Sequence, residues 1–467
     1  MSASPISLGS FLHRHAWQVT TILVVFLLTN VVVYSFSPPG SYLSPDTRGY
    51  IEPAKLLVEE GVYSSEFRLP GYPVFLASIM HFTDSIGAPA VAAQSIMLFT
   101  IALLAALFIE RIRAGSGVFA LALTCFSPSA LYYTQKVLPD VMFTLLFVVY
   151  FYFLIRTYRN GGIYAAALVG VAAGLATIVR GNGQYLIYLI PVIFVLGHRL
   201  AHERWPGIRP LSLMAVSVVA AIMTIGPWLY LSAKEGNGFS VVSDSYRNYA
   251  IHDNVVTAVA LGKSLTDDQA ADAVYTSTMQ REDIPRDEWE SLGLADKRNI
   301  VARNSWPLLA DLSPREFGFA VSKALLKFFS IGEGRGWSKL LQQDAVAHPD
   351  DAANYKFSLS AVLRLDPAVS VTTLFAHVLT ITYYASVYLL CLSGLIHLVR
   401  VKAWDVLFSV SICIGLFAGT AGFIGQARYR LPVEPLIISL ASIGLLGVRH
   451  RLRSLRFERS PVSRAGG

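Results

Sequence analysis

Charge is what this 467-residue sequence has little of: Asp, Glu, Lys and Arg make up 15% of it, against 54% hydrophobic residues. Soluble domains carry about 25% charged residues, so a water-soluble globular fold is excluded and an integral membrane protein is indicated. Cysteine is nearly absent as well. Cys125, Cys391 and Cys413 all lie in apolar stretches without the spacing of a metal site or a disulfide framework, and read as packing or lipid-facing residues. No spacing of His and carboxylate residues marks a zinc site, and no Gly-rich strand-to-helix turn marks a soluble nucleotide-binding domain. The net charge of +7 does not point to nucleic acid, because Lys and Arg fall in short clusters between apolar runs.

The sequence does have long apolar runs. A bilayer crossing needs roughly 20 apolar residues in a helix, since every backbone polar group must be bonded within the segment. About ten stretches meet this: 17–36, 88–109, 115–133, 138–155, 163–179, 184–197, 211–231, 372–399, 404–424 and 431–447. The first has no cleavage pattern after it and reads as a retained span. The expected fold is therefore an all-α polytopic membrane protein with a helical first external loop (37–87) and a small, mostly helical external segment (232–371). The remaining divisions are an N-terminal membrane module (1–231), C-terminal spans (372–447) and a basic tail (448–467).

Orientation follows from alternate loops. "HRH" (13–15), "ERIR" (110–113), "RTYR" (156–159), "HRLAHERWPGIR" (198–209), "RVK" (400–402) and "RHRLRSLRFER" (449–459) are all basic. The positive-inside rule places them, and both termini, on the cytoplasmic side of the membrane. In the external segment, Ser313, Pro314 and Glu316 form a capping-box signature at the head of an amphipathic helix.

The same rule should leave the outer span ends poor in Lys and Arg, yet Arg48, Arg68, Lys136, Arg180, Arg428 and Arg430 sit there. Either they attract anionic headgroups in general, or they gather around one lipid phosphate, for which Arg supplies paired donors. Two acids share this face. Asp46 and Tyr50 are spaced i, i+4 at the head of a helix, so Asp46 is either its N-cap or a reactive carboxylate. Asp140 follows Pro139 at an outer span start, where it suits a helix N-terminus or a ligand. Tyr132, Tyr133 and Trp228 fit an interfacial belt, His252 beside Asp253 a surface, and His377 a polar contact between spans.

Together these residues suit glycosyl transfer from a sugar phosphate. A carboxylate takes the acceptor's proton while cations stabilise the departing phosphate. Without a nucleotide-binding domain, the sugar would arrive on a lipid.

At this point the sequence resembles a family. "SPDTRGYIEPAKLLVEEGVYSSEFRLPGYPVFLA" (44–77) is similar to the first external loop of GT-C glycosyltransferases, in the dolichyl-phosphate-mannose protein mannosyltransferase-like branch that includes aminoarabinose transferase relatives. "SPSALYYTQKVLPDVMF" (127–143), "GVAAGLATIVRGNG" (170–183), "GPWLYLSAKEGNGFSVVSDSYRNY" (226–249) and "GQARYRLPVEPLIISLASIGLL" (425–446) resemble later motifs of that branch, in order. The resemblance implies a GT-C-like fold and an inverting transfer from a polyprenyl-phosphate sugar donor on the extracytoplasmic face, to a lipid, glycan or protein acceptor, with membrane lipids as surroundings and no nucleic acid. It implies Asp46 as catalytic base, and Arg68, Arg180, Arg428 and Arg430 as phosphate ligands. Asp140 becomes the second acidic residue, orienting the acceptor or holding a cation, and Arg48, Tyr50, Tyr72, Lys136 and Tyr429 further pocket residues. Asp140 stands where the family commonly has Glu, and "GNG" follows Arg180 in place of a Pro-containing turn. No cofactor is certain from the resemblance, and a divalent cation is the one candidate. A multi-pass lipid or glycolipid transporter is the rival class; it predicts ionisable residues at mid-span and repeated halves with broken helices.

Overall fold

The computed structural model describes residues 8–37, 40–65, 67–234, 238–330, 337, 340 and 371–458. Parts of the expected external segment (235–237, 331–336, 338–339 and 341–370) and of the tail (459–467) lie outside the described residues. The chain is a multi-pass, all-α membrane protein. Among the described residues, seven helices are long and apolar enough to cross a membrane.

The first of these is α1 (Leu8–Phe36). Helices α2 (Arg48–Glu59) and α3 (Gly71–Met80) form the first loop, and α4 (Gly87–Glu110) returns through the membrane. The expected span at 115–133 is instead two short helices, α5 (Gly117–Cys125) and α6 (Pro128–Thr134). The reason is local: Pro128 has no N–H to continue the helix, and Ser127 takes extended backbone and caps α6 by accepting from Ala130 N.

There follow α7 (Asp140–Asn160), α8 (Ile163–Val179), α9 (Gln184–His202) and α10 (Ile208–Lys234). The external helices are α11 (Asp244–Lys263), α12 (Asp267–Glu282), α13 (Arg286–Ser291), α14 (Leu294–Arg303), α15 (Ser305–Ala310) and α16 (Pro314–Phe328). Two long helices, α17 (Val371–Arg400) and α19 (Glu434–Glu458), flank the shorter α18 (Trp404–Thr420). A 3₁₀ segment, Ala427–Val433, leads into α19.

Burial sorts the spans into centre and periphery. The apolar stretch of α19 is 83% buried and that of α7 67%, whereas α1 and α10 bury only 17%. The exposed apolar residues of α1, including Trp17, Leu28 and Val31, present a surface suited to lipid. Close approach marks α8 and α10: a Cβ on Gly170 or Gly174 would collide with Ser217 and Ala220 or with Thr224, the small-residue packing of membrane helices. The external helices hold a core of their own around Val255, Val259, Val274, Trp289 and Val301. The expected capping box at Ser313 and Glu316 is present. His252, expected on the surface, is a correction. It is 8% exposed and bonded to Tyr275 Oη and Asp253, each at 3.1 Å, because α11 turns it toward α12.

Two buried networks separate the faces of the molecule. At one end, Arg159 on α7 grips Asp405 on α18 (2.5 and 2.8 Å), and His198 and His202 on α9 meet Tyr158 O at 3.1 Å each. At the other end, Gln94 on α4 donates to Thr134 O (2.9 Å) and Lys136 O (2.8 Å) and accepts from Tyr72 Oη on α3 (3.0 Å). Gln94 thus ties the first loop to the approach to α7. Replacing Gln94 with Leu removes the partner of Thr134 O and Tyr72 Oη, while Lys136 O keeps Leu138 N (2.9 Å), and should cost about 2 kcal/mol. A drop of several degrees in the thermal midpoint of the detergent-solubilised protein is the expected reading.

Candidate functional site

The first loop is pinned before it can place any reactive group. Thr47, fully buried, donates from Oγ1 to Val137 O (3.1 Å) and accepts from Ser44 N (2.9 Å), while Val137 N donates to Tyr42 O (2.9 Å). Lys136 Nζ completes the join on Ser41 O. These bonds lock residues 41–47 against the segment that opens α7, so Asp46 and Asp140 come to one place.

What lies between them is an alternating row of charges. Arg68 Nη2 donates to Asp46 Oδ1 (3.0 Å), and Arg428 Nη1 donates to Asp46 Oδ2 (2.7 Å). Arg428 then turns its other edge to Asp140, Nε to Oδ1 (2.9 Å) and Nη2 to Oδ2 (2.8 Å), the paired geometry guanidinium offers a carboxylate. Arg180 Nη1 closes the row on Asp140 Oδ1 (2.6 Å). Three cations against two anions leave an excess of positive charge at the end of the bundle.

Local structure explains each placement. Asp46 does not cap α2: the residue before the helix is Thr47, which makes no side-chain cap bond, and the Asp46 carboxylate is engaged by arginines instead. Gly49 leaves room for the Arg68 side chain, since a Cβ there would stand 3.0 Å from its Nε. Arg68 lies 4.6 Å over the Tyr50 ring and donates to its hydroxyl (3.2 Å), and Tyr50 in turn meets Tyr72 edge-on at 5.4 Å. Arg180 is extended at the end of α8, followed by a single 3₁₀ turn, Gly181–Gly183. The "GNG" sequence is needed there, for a Cβ on Gly183 would fall 2.4 Å from the backbone of Ala176 and Thr177.

These residues border a cavity of about 760 Å³, lined on the membrane side by Asp46, Arg48, Tyr50, Arg68, Arg180, Arg428 and Tyr429. That volume is typical of a site for an organic ligand. Exposure separates the two acids: the Asp46 side chain is 42% exposed and that of Asp140 1%. Asp46 is the carboxylate a ligand can touch, while Asp140 lies behind Arg428 and Arg180 and orients them.

Other expected pocket residues stand elsewhere. Arg430 faces away from the cavity, because two residues of a 3₁₀ helix are about 240° apart around its axis. It is fully buried, bonded to Ser330 O (2.7 Å), Tyr388 Oη (3.0 Å) and Ser129 Oγ (3.2 Å), with Glu434 at 3.4 Å. Tyr72 lies under Tyr50 on Gln94, and Lys136 serves the loop joint, 5.3 Å from the Tyr132 ring. Arg48 is at the cavity rim, paired with Glu52 (2.5 Å). Tyr429 stacks beneath Arg180 at 4.9 Å. Trp228 is held by Val241 O (2.9 Å) and packs edge-on against Tyr63. Tyr246, Tyr249 and Arg298 of the external helices also line the cavity. Sequence reasoning missed them; the capped "SDSYRNY" turn was the one available signal for the tyrosines, and Arg298 carried none.

Among the described residues no three His, Cys, Asp or Glu side chains converge on one point, and the two carboxylates share the Arg428 guanidinium.

Burial acts to raise the Asp46 pKa, but the hydrogen bonds and charges of Arg428 and Arg68 outweigh it and hold the carboxyl below its ordinary 3.8. A depressed carboxylate stabilises the folded state above its unfolded pKa and loses that contribution as pH falls through the folded value. Asp46 protonation should therefore lower the thermal midpoint only below pH 3.8, and an Asp46→Asn variant should lack that component of acid sensitivity. Arg430→Gln leaves Glu434 buried and uncompensated, and should cost about 3–5 kcal/mol, read as a lower thermal midpoint or a loss of folded protein.

Helix order, first loop and cavity define an all-α polytopic membrane fold. Oligosaccharyltransferase AglB from Archaeoglobus fulgidus, solved with an inhibitory peptide and a dolichol-phosphate, shares it at 12% identity and a TM-score of 0.51, over 94% of this chain and 51% of that one. The chain thus spans about half the length of that enzyme. ArnT from Cupriavidus metallidurans is similar over 92% of this chain and 77% of its own bound to undecaprenyl phosphate (14% identity, TM-score 0.41). In the apo state the figures are 91% and 77% (15%, 0.39). No protein-family model matches the sequence, and no curated protein matches it.

Proposed function

We propose that the protein is a membrane glycosyltransferase that moves a sugar from a polyprenyl-phosphate donor to an acceptor hydroxyl on the extracytoplasmic face, with inversion. The observation that carries this reading is Asp46, accessible in the cavity and held between Arg68 and Arg428, at the end of the bundle opposite the basic loops. The fold shared with a dolichol-phosphate-bound oligosaccharyltransferase supports it, as does the excess of arginine over carboxylate in the row.

The donor's isoprenoid tail stays among the membrane helices and its phosphate enters the cavity. There it competes with Asp46 for the guanidinium groups of Arg68 and Arg428. Each bond transferred from carboxylate to phosphate removes a cation from Asp46, so its basicity rises as the donor seats. The acceptor oxygen then attacks the anomeric carbon on the face opposite the phosphate. Its proton passes to Asp46, the bond from the anomeric carbon to the phosphate oxygen breaks, and the electron pair leaves with the polyprenyl phosphate, whose charge the arginines stabilise. Asp140, nearly inaccessible, keeps Arg428 and Arg180 at their posts. Division into a membrane module with its catalytic loop, an external segment that chooses the acceptor, and C-terminal spans follows from these roles.

Asp46→Asn removes the base and should reduce turnover by about 10²–10⁴-fold while donor binding persists, measured with a radiolabelled polyprenyl-phosphate sugar in membranes. Turnover equal to wild type would remove Asp46 from that role. Arg68→Ala should weaken undecaprenyl phosphate binding by about ten-fold or more without unfolding the protein, and unchanged affinity would make Arg68 an interface anchor.

A further inference from the structure

Arg68, Arg180 and Arg428 are each bonded to a carboxylate, but one guanidinium in the same cavity bonds none among the described residues. Arg298, on α14, lines the cavity from the external helices beside Tyr246 and Tyr249 of α11. Its Nε is shielded from solvent and has no hydrogen-bond partner among the described residues. Its guanidinium lies 4.7 Å over the Tyr249 ring, a placement that fixes the plane of the fork and leaves its edge for a ligand. Asp253, the carboxylate whose charge reaches Arg298, is bonded to His252 at 3.1 Å and accepts from the Tyr249 hydroxyl, so Tyr249 contributes its ring face to the site.

The surroundings are built rather than incidental. Ser243 caps α11 by accepting from Tyr246 N (3.2 Å), which sets the first turn and aims the two tyrosines. Asn248 bonds Asn299 (3.4 Å), joining that turn to α14 next to Arg298. A shielded donor without an acceptor is costly in a folded protein and calls for an explanation. An entering oxyanion supplies the missing acceptor.

We propose that Arg298, with Tyr246 and Tyr249, forms a second oxyanion subsite, which takes a phosphate or carboxylate group carried by the acceptor. This rests on the transferase reading of the cavity. The donor phosphate is tethered to a lipid tail and meets the arginines beside Asp46 on the membrane-helix side. Arg298 belongs to helices outside the bundle, where an acceptor from the aqueous side makes its first contact. The subsite would make an anionic acceptor the preferred one, and would hold it with its hydroxyl toward Asp46.

The test uses the full-length chain in detergent, with phenyl phosphate as a soluble probe in the presence of saturating undecaprenyl phosphate. Arg298→Gln should weaken phenyl phosphate binding about ten-fold or more, with undecaprenyl phosphate affinity within about two-fold of wild type. Arg298→Lys keeps the charge without the fork and should fall between the two. Equal phenyl phosphate binding by wild type and Arg298→Gln would overturn the subsite. Parallel loss of undecaprenyl phosphate binding would assign Arg298 to the donor and overturn the acceptor assignment. If the wild type binds no undecaprenyl phosphate, the donor reading fails, and the phenyl phosphate comparison still decides whether Arg298 forms an oxyanion subsite.

Discussion

One guanidinium shared by two carboxylates organises the site. Arg428 reaches Asp46 with one nitrogen and Asp140 with two others, and so joins the first loop, the head of α7 and the segment before α19. Without it, two acids would face each other at the end of the helix bundle with no cation between them, where like charges repel. With it, and with Arg68 and Arg180 at the ends of the row, each acid has close cationic partners beside a cavity that retains positive charge.

Such a row is expensive to assemble, because charges withdrawn from water must find close partners. The fold meets that requirement with rigid polar joints rather than with apolar packing alone. Thr47 and Gln94 tie irregular backbone to neighbouring helices, and both are fully buried. Irregular backbone at this depth is tolerated only where its polar groups are satisfied by protein or line a polar cavity. The joints therefore explain why a loop can hold Asp46 in a fixed place between Arg68 and Arg428.

Much of this could be read in the sequence, and the failures have physical causes. Apolar run length located most of the helices, because the bilayer constrains it. The run at 115–133 misled, since composition does not distinguish a continuous helix from two halves parted at Ser127 and Pro128. Clustering of Asp46, Arg68, Asp140, Arg180 and Arg428 was anticipated from their shared face, but Arg430 was grouped with Arg428 because proximity in sequence says nothing about direction around a 3₁₀ turn. Arg298 could not have been found: it lies among ordinary solvated charges in "LADKRNIVAR", and only the packing of α14 on α11 brings it to the cavity. The burial of His252 has the same origin, a tertiary contact that no local pattern encodes.

A cryo-EM structure of the protein in nanodiscs with undecaprenyl phosphate tests the central claim most directly. The phosphate is expected in the cavity with its oxygens about 3 Å from the guanidinium groups of Arg68 and Arg428, and Asp46 released from at least one of them toward the open space. A phosphate seated elsewhere on the perimeter, with Asp46, Arg428 and Asp140 still joined, would contradict it.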